Sequence, residues 1–441
     1  MQTKRLQIGN NPAVTSVVRI SIPKVYPEHR AVVRRDPSWD YETANTKTYT
    51  HCFHPYPAMM IPQVAGRLLD SHANTKSVVL DPFCGSGTVL VESVLRGMTS
   101  CGIDINHLAI LVAEAKVTPI RPERLEEQLA EVIDSYNNIS CSRSEHPNFF
   151  NLRYWFKPKV IRSLARLRKA ILLVENARIK KFLYVALSET IRDVSNTRTR
   201  EFKLFRMSEG ELSKHEPNVI KIFKKRAERN IAGMRDFVSA LPKKHHTPKI
   251  LKEDTRLKTS LRRNSVDLIV TSPPYGDSRT TVAYGQFSRL SLQWLGLYQC
   301  DLDKSSLGGR VSRNVGYRSA GFPTLRRTYE AICELDPKRA LEVLAFFVDL
   351  EKCLIELNRV LRVSGHVCMV LGNRTVKGQR IPTDQVIVEL ASGLGWQHEE
   401  TIIRSIPNKR MPSRNSPENI KGKTGETMTS EYIVVMRKSK E

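Results

Sequence analysis

A short apolar segment that ends at two prolines most constrains how this chain can fold. Residues 266–270 have the composition of a β-strand, and they run directly into Thr271, Ser272, Pro273, Pro274 and Tyr275. Each proline ring fixes φ and removes a backbone donor, so this pair cannot continue a central strand. The chain must therefore leave the sheet here. Taken alone, the segment is as typical of a turn after an edge strand as of a functional site.

The functional interpretation rests on where the segment lies and on what it carries. Open α/β sheets place their ligands at the carboxyl ends of strands. A hydroxyl from Ser272 and a carbonyl from Pro273 are able to accept hydrogen bonds from an amine. The ring of Tyr275 is able to stack on a flat partner. The segment is therefore a candidate site for a planar ring that carries an amine.

A β-turn-α-β unit over residues 77–104 is the second strong feature. A buried-type strand leads into the turn DPFCGSGT (81–88), a helix follows to Arg96, and a second strand ends at Asp104. Gly85 and Gly87 let the backbone approach a ligand and direct free amides at it. Asp104 follows the glycines at about the 20-residue spacing at which an acidic residue meets ribose hydroxyls. The turn lacks the third glycine of the dinucleotide fingerprint and no G-K-[ST] follows, which argues against a nicotinamide cofactor and a P-loop.

The charge of the chain predicts a polyanionic partner. Its 441 residues carry a formal net charge of +25, which favours nucleic acid. Residues 151–250 hold 25 Lys and Arg against 9 Asp and Glu, in a largely helical pattern. We interpret this excess as a DNA-facing helical insertion, although a solvated charged face remains the alternative. The residues predicted to contact DNA are Arg198, Arg200, Lys203, Arg279 and Arg289.

Several classes of protein do not fit the sequence. The eight cysteines form no C-x-x-C pair, which argues against a zinc ribbon or a disulfide framework and favours a reducing cytosol. His245 and His246 have no partners at metal-binding spacing, so no metal is predicted. The start of the chain lacks the apolar core of a signal peptide, and no apolar run approaches the about 18 residues that span a bilayer. We expect a soluble, cytoplasmic protein without a membrane partner.

The element pattern predicts an α/β fold. Strands near residues 78, 100, 250, 267 and 367 alternate with helices, and a C-terminal β-hairpin pairs residues 398–406 with 430–438. This order predicts a doubly wound, seven-strand Rossmann-like sheet. Residues 298–328 are predicted to be a mobile loop over a site. The predicted domains are an N-terminal arm (1–45), a catalytic domain (46–117 and 249–441) and a basic helical insertion (118–248).

The turn DPFCGSGT and the segment TSPPY, present together in one α/β chain, resemble the amino-methylating DNA methyltransferases that depend on S-adenosylmethionine. The resemblance covers about residues 46–116 and 249–437. It implies methyl transfer to an exocyclic amine of a base that is flipped out of double-stranded DNA. Carried over onto this sequence, it implies a set of cofactor-binding residues: Phe53, His54, Asp81, Phe83, Cys84, Gly85, Gly87, Thr88, Asp104, Ile105, Asp254 and Thr271.

The resemblance also implies the catalytic residues, which are Ser272, Pro273, Pro274 and Tyr275. Within that family, Ser before the two prolines is associated mainly with N4 of cytosine, and Asp or Asn there with N6 of adenine. We therefore predict a cytosine-N4 methyltransferase, with a separately encoded restriction endonuclease as a possible partner. The alternatives are an adenine-N6 methyltransferase, an RNA base-amine methyltransferase and a binding protein with a vestigial fold. The segment that reads the target sequence is left open: it is the insertion, the 276–328 loop, or both.

Overall fold

A mixed eight-stranded sheet forms the centre of the protein. The structure is a computed structural model that describes residues 32–139, 146–198, 201–277, 281–298, 300–310, 322–406, 414–415, 425–426 and 428–439. The strands of the sheet are β1 (Val32–Arg35), β2 (Val78–Asp81), β3 (Thr99–Ile103), β4 (Lys249–Leu251), β5 (Val266–Thr271), β6 (Leu361–Leu371), β9 (Trp396–Ser405) and β12 (Ser430–Lys438). Two short antiparallel pairs lie outside it: β7 (Thr375–Val376) with β8 (Gln379–Arg380), and β10 (Arg414–Asn415) with β11 (Gly425–Glu426).

The strand order is β1-β9-β12-β6-β5-β2-β3-β4. Strands β4, β3, β2, β5 and β6 pair in parallel, whereas β12 is antiparallel to both of its neighbours, β6 and β9. The predicted C-terminal hairpin is thereby confirmed. The sheet has one strand more than the predicted seven, because Val32–Arg35, inside the predicted irregular arm, pairs in parallel with β9. Residues 1–31 of that arm lie outside the described residues.

Helices cover both faces of the sheet. They are α1 (Pro62–His72), α2 (Thr88–Leu95), α3 (His107–Val117), α4 (Pro122–Asn138), α5 (Leu152–Trp155), α6 (Pro158–Leu172), α7 (Ala177–Val194), α8 (Glu209–Lys214), α9 (Val219–Ala240), α10 (Tyr284–Leu295), α11 (Leu302–Ser305), α12 (Pro323–Leu335), α13 (Pro337–Val360) and α14 (Thr383–Gly393). Alternate residues of β5 face opposite layers, as the two-residue period of a strand requires. Leu268 and Val270 pack with α1, and Ile269 packs with α12, α13 and α14. The doubly wound α/β fold is confirmed.

The segment between β3 and β4 is helical, as its pattern predicts. Helices α4 to α9 fill it, and all of these except α8 share one apolar cluster with α2, α3 and α10. The centre of that cluster is built from fully buried aromatic rings, including Phe182, Phe223 and Trp294. The insertion is thereby packed onto the helix that follows the TSPPY segment. The boundaries given above for an insertion and a catalytic domain stay predictions.

None of the helices within the described residues is both long and apolar enough to cross a bilayer. Helix α11 and the beginning of α12 lie inside the predicted loop at 298–328, whereas residues 299 and 311–321 are outside the described part of the chain. Leu302 in α11 and Phe322 at the beginning of α12 have buried side chains, which hold these two helices against the rest of the protein.

Candidate active site

A cleft opens at the carboxyl ends of β2, β3, β4 and β5. This is the edge at which the order of the sheet reverses, since β2 pairs with β3 on one side and with β5 on the other. Ligands of open α/β sheets bind at such a point. The cleft is lined by residues from four segments of the chain that the sequence singled out: Asp81, Phe83, Cys84, Gly85, Thr88, Asp104, Ile105, Asp254, Ser272 and Pro274.

The turn after β2 is held in place by contacts with β3 and α3. The Cys84 amide donates to the Ile103 carbonyl at 3.0 Å, and both glycines have positive φ, +49° at Gly85 and +81° at Gly87. A Cβ at Gly87 would lie 2.9 Å from the Cβ of Ala113 in α3, so only glycine fits between the two helices. Gly87 therefore lies where it serves helix packing, and it is not among the residues that line the cleft.

Asp104 is half-buried, is fixed by backbone amides and lines the cleft. Its carboxylate accepts from the amides of Gly85 at 2.9 Å and Asn106 at 2.7 Å. Burial raises the pKa of Asp104 to about 6, although these amide donors oppose the shift. A carboxylate with remaining lone pairs is a strong acceptor for a pair of hydroxyl groups.

Asp81 connects the glycine turn to the TSPPY segment. It accepts from the Thr271 hydroxyl at 2.6 Å and from the Phe83 amide at 3.2 Å. Burial raises the pKa of Asp81 to about 7. Thr271 is fully buried and lies outside the lining of the cleft. The structure thus places Thr271 behind Asp81, where it positions that carboxyl group.

Asp254 lines the cleft as a member of an ion pair. Its carboxylate contacts the Arg256 guanidinium at 2.6 Å, and Arg256 also reaches Asp349 at 2.9 Å. Arg256 is therefore held rigidly between two acids on different elements. With Asp81, Asp104 and Glu253, Asp254 gives the cleft four acidic side chains, an arrangement that favours a cationic ligand.

The TSPPY corner contributes Ser272 and Pro274 to the cleft, while Pro273 and Tyr275 lie outside its lining. The Ser272 hydroxyl donates to the Tyr275 hydroxyl at 3.2 Å, and Tyr275 donates to Glu431 at 3.0 Å. Burial raises the pKa of Tyr275 well above its usual value, so the phenol stays protonated. The corner therefore presents one polar side chain to the cleft, and that side chain has a hydrogen-bonded support behind it.

Comparisons with known proteins decide the family. Residues 22–115 match the profile of a DNA methylase family. The type II methyltransferase M.MvaI of Kocuria varians is 42% identical over 417 residues, which make up 89% of this chain and 92% of that protein. The chain belongs to the N6/N4 DNA methylase family.

Two further similarities concern smaller parts or the fold alone. The type II methyltransferase M.MjaII of Methanocaldococcus jannaschii is 35% identical over 99 residues, or 22% of this chain and 18% of that one. A solved S-adenosylmethionine-dependent methyltransferase of Methanosarcina mazei matches 85% of this chain and 98% of its own, at 10% identity and a TM-score of 0.32. That TM-score is too low for positions of individual residues to be transferred to this methylase.

As a member of this DNA methylase family, the protein uses S-adenosylmethionine as its methyl donor. The cleft fits this cofactor: Asp104 offers a half-buried acceptor for ribose hydroxyls, and the acidic lining suits the sulfonium and ammonium charges. Gly85 leaves room on the cleft side of the turn, because a Cβ there would come no closer than 3.6 Å to Tyr56. When bound, the cofactor supplies an electrophilic methyl group.

Phe53 and His54, which the resemblance implies as cofactor-binding residues, lie outside the lining of the cleft, and their role stays a prediction. Both side chains are buried in the apolar cluster, where Phe53 packs edge-on against Phe182 and His54 packs against Phe287. Burial lowers the pKa of His54 well below its usual value, so this imidazole is neutral. The same segment still reaches the cleft a few residues later, through Tyr56, Pro57, Ala58, Met59 and Met60.

Sequence reasoning missed several residues of the site. Tyr56 and Tyr284 line the cleft and stack at 6.0 Å, and Asn106 donates to both the Tyr56 hydroxyl and Ser288. Arg256 was also missed. A proline on each side marks Tyr56 as a loop residue, but no local pattern brings it to Tyr284, which is more than 200 positions away.

The predicted basic contacts are only partly described. Arg198 and Arg289 are exposed and Lys203 is half-buried, whereas Arg200 and Arg279 lie outside the described residues. The Leu204 amide donates to Gln286 of α10 at 3.2 Å, so the chain next to Lys203 lies against the helix that begins with Tyr284 at the cleft. Within the described ranges, no group of His, Cys, Asp and Glu side chains is arranged to hold a metal ion.

Cys84 lines the cleft but is not a nucleophile. Burial, with Asp104 and Asp81 adding to it, raises the pKa of the Cys84 thiol well above its usual value. A protonated thiol is a poor nucleophile, because the thiolate is the reactive form. Its packing role is clear from Gly102, where a Cβ would come within 2.9 Å of the Cys84 side chain.

Proposed function

We propose that this methylase transfers a methyl group from S-adenosylmethionine to the N4 amine of a cytosine that is flipped out of duplex DNA. The observation that carries the proposal is Ser272: it lines the same cleft as Asp104 and Asp81, beside Pro274. A serine hydroxyl and a proline carbonyl at this place are suited to accept hydrogen bonds from an exocyclic amine.

The chemistry follows from the weakness of the nucleophile. The lone pair of an exocyclic amine is delocalised into the base ring, so the nitrogen is a poor nucleophile. Hydrogen bonds from the amine to the Ser272 hydroxyl and the Pro273 carbonyl would pyramidalise the nitrogen and direct its lone pair towards the methyl group. Positioning of two bound reactants then supplies much of the acceleration. No covalent intermediate with the protein is required.

The cofactor roles that we propose are those that the family resemblance implies, and they are supported by the presence of these residues in the lining of the cleft. Asp104 would accept hydrogen bonds from the ribose hydroxyls of the cofactor. Asp81 and the turn that ends at Thr88 would hold its methionine end, and Asp254 would lie near its adenine ring. Phe83 and Ile105 would pack against its apolar faces. The stacking of Tyr275 on the target base stays a prediction, since the ring lies outside the lining of the cleft.

The target base has to leave the DNA helix to reach the cleft, which costs a few kcal/mol of stacking and pairing. A basic surface beside the cleft would offset that cost by binding phosphates. Arg198, Lys203 and Arg289 belong to this surface in our proposal. A cytoplasmic location and a partner restriction endonuclease complete it, and the type II relatives support that setting.

The test is to methylate plasmid DNA with labelled cofactor, digest it to nucleosides and identify the labelled product. We expect N4-methylcytosine, and labelled N6-methyladenine would overturn the assignment in favour of the adenine enzyme. Replacing Ser272 with Ala is expected to lower kcat about 100-fold, the loss typical of one preorganised polar group. Ser260→Ala, at an exposed serine, is the control. Equal kcat in the two variants would refute the role of Ser272.

A further inference from the structure

A chain of hydrogen bonds runs from the cleft into the C-terminal hairpin. It begins at the Ser272 hydroxyl, passes through the Tyr275 hydroxyl at 3.2 Å and reaches the Glu431 carboxylate at 3.0 Å. The other carboxylate oxygen of Glu431 is bound by the guanidinium of Arg404. Glu431 and Arg404 lie directly opposite each other in the β9–β12 pair, so the sheet itself sets their register.

Arg404 is fixed by three separate acceptors. Besides Glu431, its guanidinium donates to the Trp39 carbonyl at 2.8 Å and to the Asp40 carbonyl at 3.1 Å. The side chain is buried, with 3% of the residue exposed. A guanidinium has donors only, and an ionised carboxylate has acceptors only. Glu431 must therefore accept from both sides.

This arrangement determines which way every proton in the chain points. Since Glu431 only accepts, the Tyr275 hydroxyl must donate to it, and its oxygen is left to accept from Ser272. Ser272 then donates its hydroxyl proton to Tyr275, and its oxygen lone pairs remain available to accept hydrogen bonds in the cleft. A serine hydroxyl is able to donate or accept, and an amine that donates its protons to Ser272 needs the accepting form.

We propose that Glu431, held by Arg404, is a positioning residue that keeps the Ser272 hydroxyl in its accepting orientation towards the target amine. The inference rests on the proposed contact between Ser272 and that amine. Glu431 is not among the residues that line the cleft. Its effect reaches the reaction only through the directions of two hydroxyl groups.

The decisive variant is Glu431→Gln, which keeps the shape of the side chain and reverses the chain of donors. Arg404 requires an acceptor, so the new amide group would turn its oxygen to Arg404 and its NH₂ group to Tyr275. Tyr275 would then donate to Ser272, and Ser272 would donate into the cleft against the amine protons. We expect kcat to fall about 100-fold, with the DNA KM and the cofactor dissociation constant changed less than about twofold.

The matched control is Glu400→Gln. Glu400 lies in the same hairpin, but its partner is Arg34 on an exposed edge at 3.3 Å, and it makes no contact with the Ser272–Tyr275 pair in the described structure. Its kcat is expected to stay near that of the wild type. A kcat for Glu431→Gln within twofold of this control would overturn the proposal.

A second variant guards against loss of folding. Tyr275→Phe keeps the ring and the Glu431–Arg404 pair but breaks the chain, so Ser272 is free to donate into the cleft. We expect a similar fall in kcat and no further fall when Glu431→Gln is added, because two changes in one chain are not additive. Wild-type kcat in Tyr275→Phe, or fully additive losses, would refute the mechanism.

Counting all methyl groups transferred to DNA keeps this test separate from the choice of base. Wild-type transfer to adenine would overturn the cytosine assignment, yet the Glu431 variants would still report on the orientation of Ser272. Wild-type transfer to cytosine N4 with an unchanged Glu431→Gln variant would overturn the orientation proposal alone.

Discussion

Gly87 offers the clearest quantitative test, because a matched glycine elsewhere separates two contributions to its replacement by alanine. At Gly87 φ is +81° and a Cβ would lie 2.9 Å from the Ala113 Cβ. At Gly378 φ is +77° and no atom lies within 4 Å of such a Cβ. The backbone conformations are alike, so only the contact with α3 differs.

The expected magnitudes follow from these two sites. A left-handed conformation costs an L-residue roughly 1–2 kcal/mol, which is the whole expected loss for Gly378→Ala. Gly87→Ala adds overpacking between α2 and α3, typically about 1–3 kcal/mol. Its free energy of unfolding should therefore fall by about 2–5 kcal/mol in total.

Urea denaturation of the two variants and the wild type, followed by circular dichroism, measures the difference. We expect Gly87→Ala to unfold at a clearly lower urea concentration than Gly378→Ala. Equal midpoints would show that α3 moves aside without cost, and they would refute the assignment of Gly87 to helix packing.

Three further predictions concern the site. Asp104→Asn should weaken cofactor binding at least about tenfold, because it removes one charge-assisted hydrogen bond. Burial raises the pKa of Asp104 to about 6, so the cofactor affinity of the wild type, measured by calorimetry, should increase as the pH rises through 6. The affinity of the variant should not depend on pH in this range. Thr271→Val removes a donor to Asp81, so the free energy of unfolding should fall by about 1–3 kcal/mol. Burial raises the pKa of Asp81 in the folded state to about 7. Urea denaturation should therefore show a larger loss of stability above pH 7, where Asp81 is ionised in the folded protein, than below pH 7, where it is protonated. Arg289→Ala should weaken binding of all DNA sequences alike and reduce the slope of log K against log salt by about 1 if Arg289 contacts a phosphate; an unchanged slope would remove it from the DNA surface.

Most of the cleft could be predicted from the sequence, because each motif determines its backbone conformation through residues that are adjacent in the chain. Two glycines with positive φ and a strand-ending aspartate define the cofactor turn locally, and the prolines place Ser272 at the end of a strand. Parallel strands bring their carboxyl ends to one edge, so Asp104 and Ser272 could be predicted to meet.

The remainder depends on contacts between distant parts of the chain. Val32–Arg35 has no pattern that separates it from an irregular arm, since all four residues are exposed, and it becomes a strand only by pairing with β9. The segment around Phe53 and His54 was placed at the cleft by family resemblance. Its burial under the helical insertion follows from packing against Phe182 and Phe287, which no local pattern reveals. Glu431 is 156 positions from Tyr275, and sequence reasoning gave it no role.

Strand β12 has a consequence for how the enzyme becomes active during folding. It lies between β6 and β9, and among the described strands β1 pairs only with β9. Two strands at this edge therefore have no place to dock until β12 is inserted. Pairings between such distant segments form slowly, because closing a long loop costs entropy before any contact is gained. Since Glu431 also lies on β12, the folding step that completes the sheet is also the step that orients Ser272. A chain that has not yet added this strand would have its glycine turn at 85–87 formed, but its Ser272 hydroxyl would not yet be oriented.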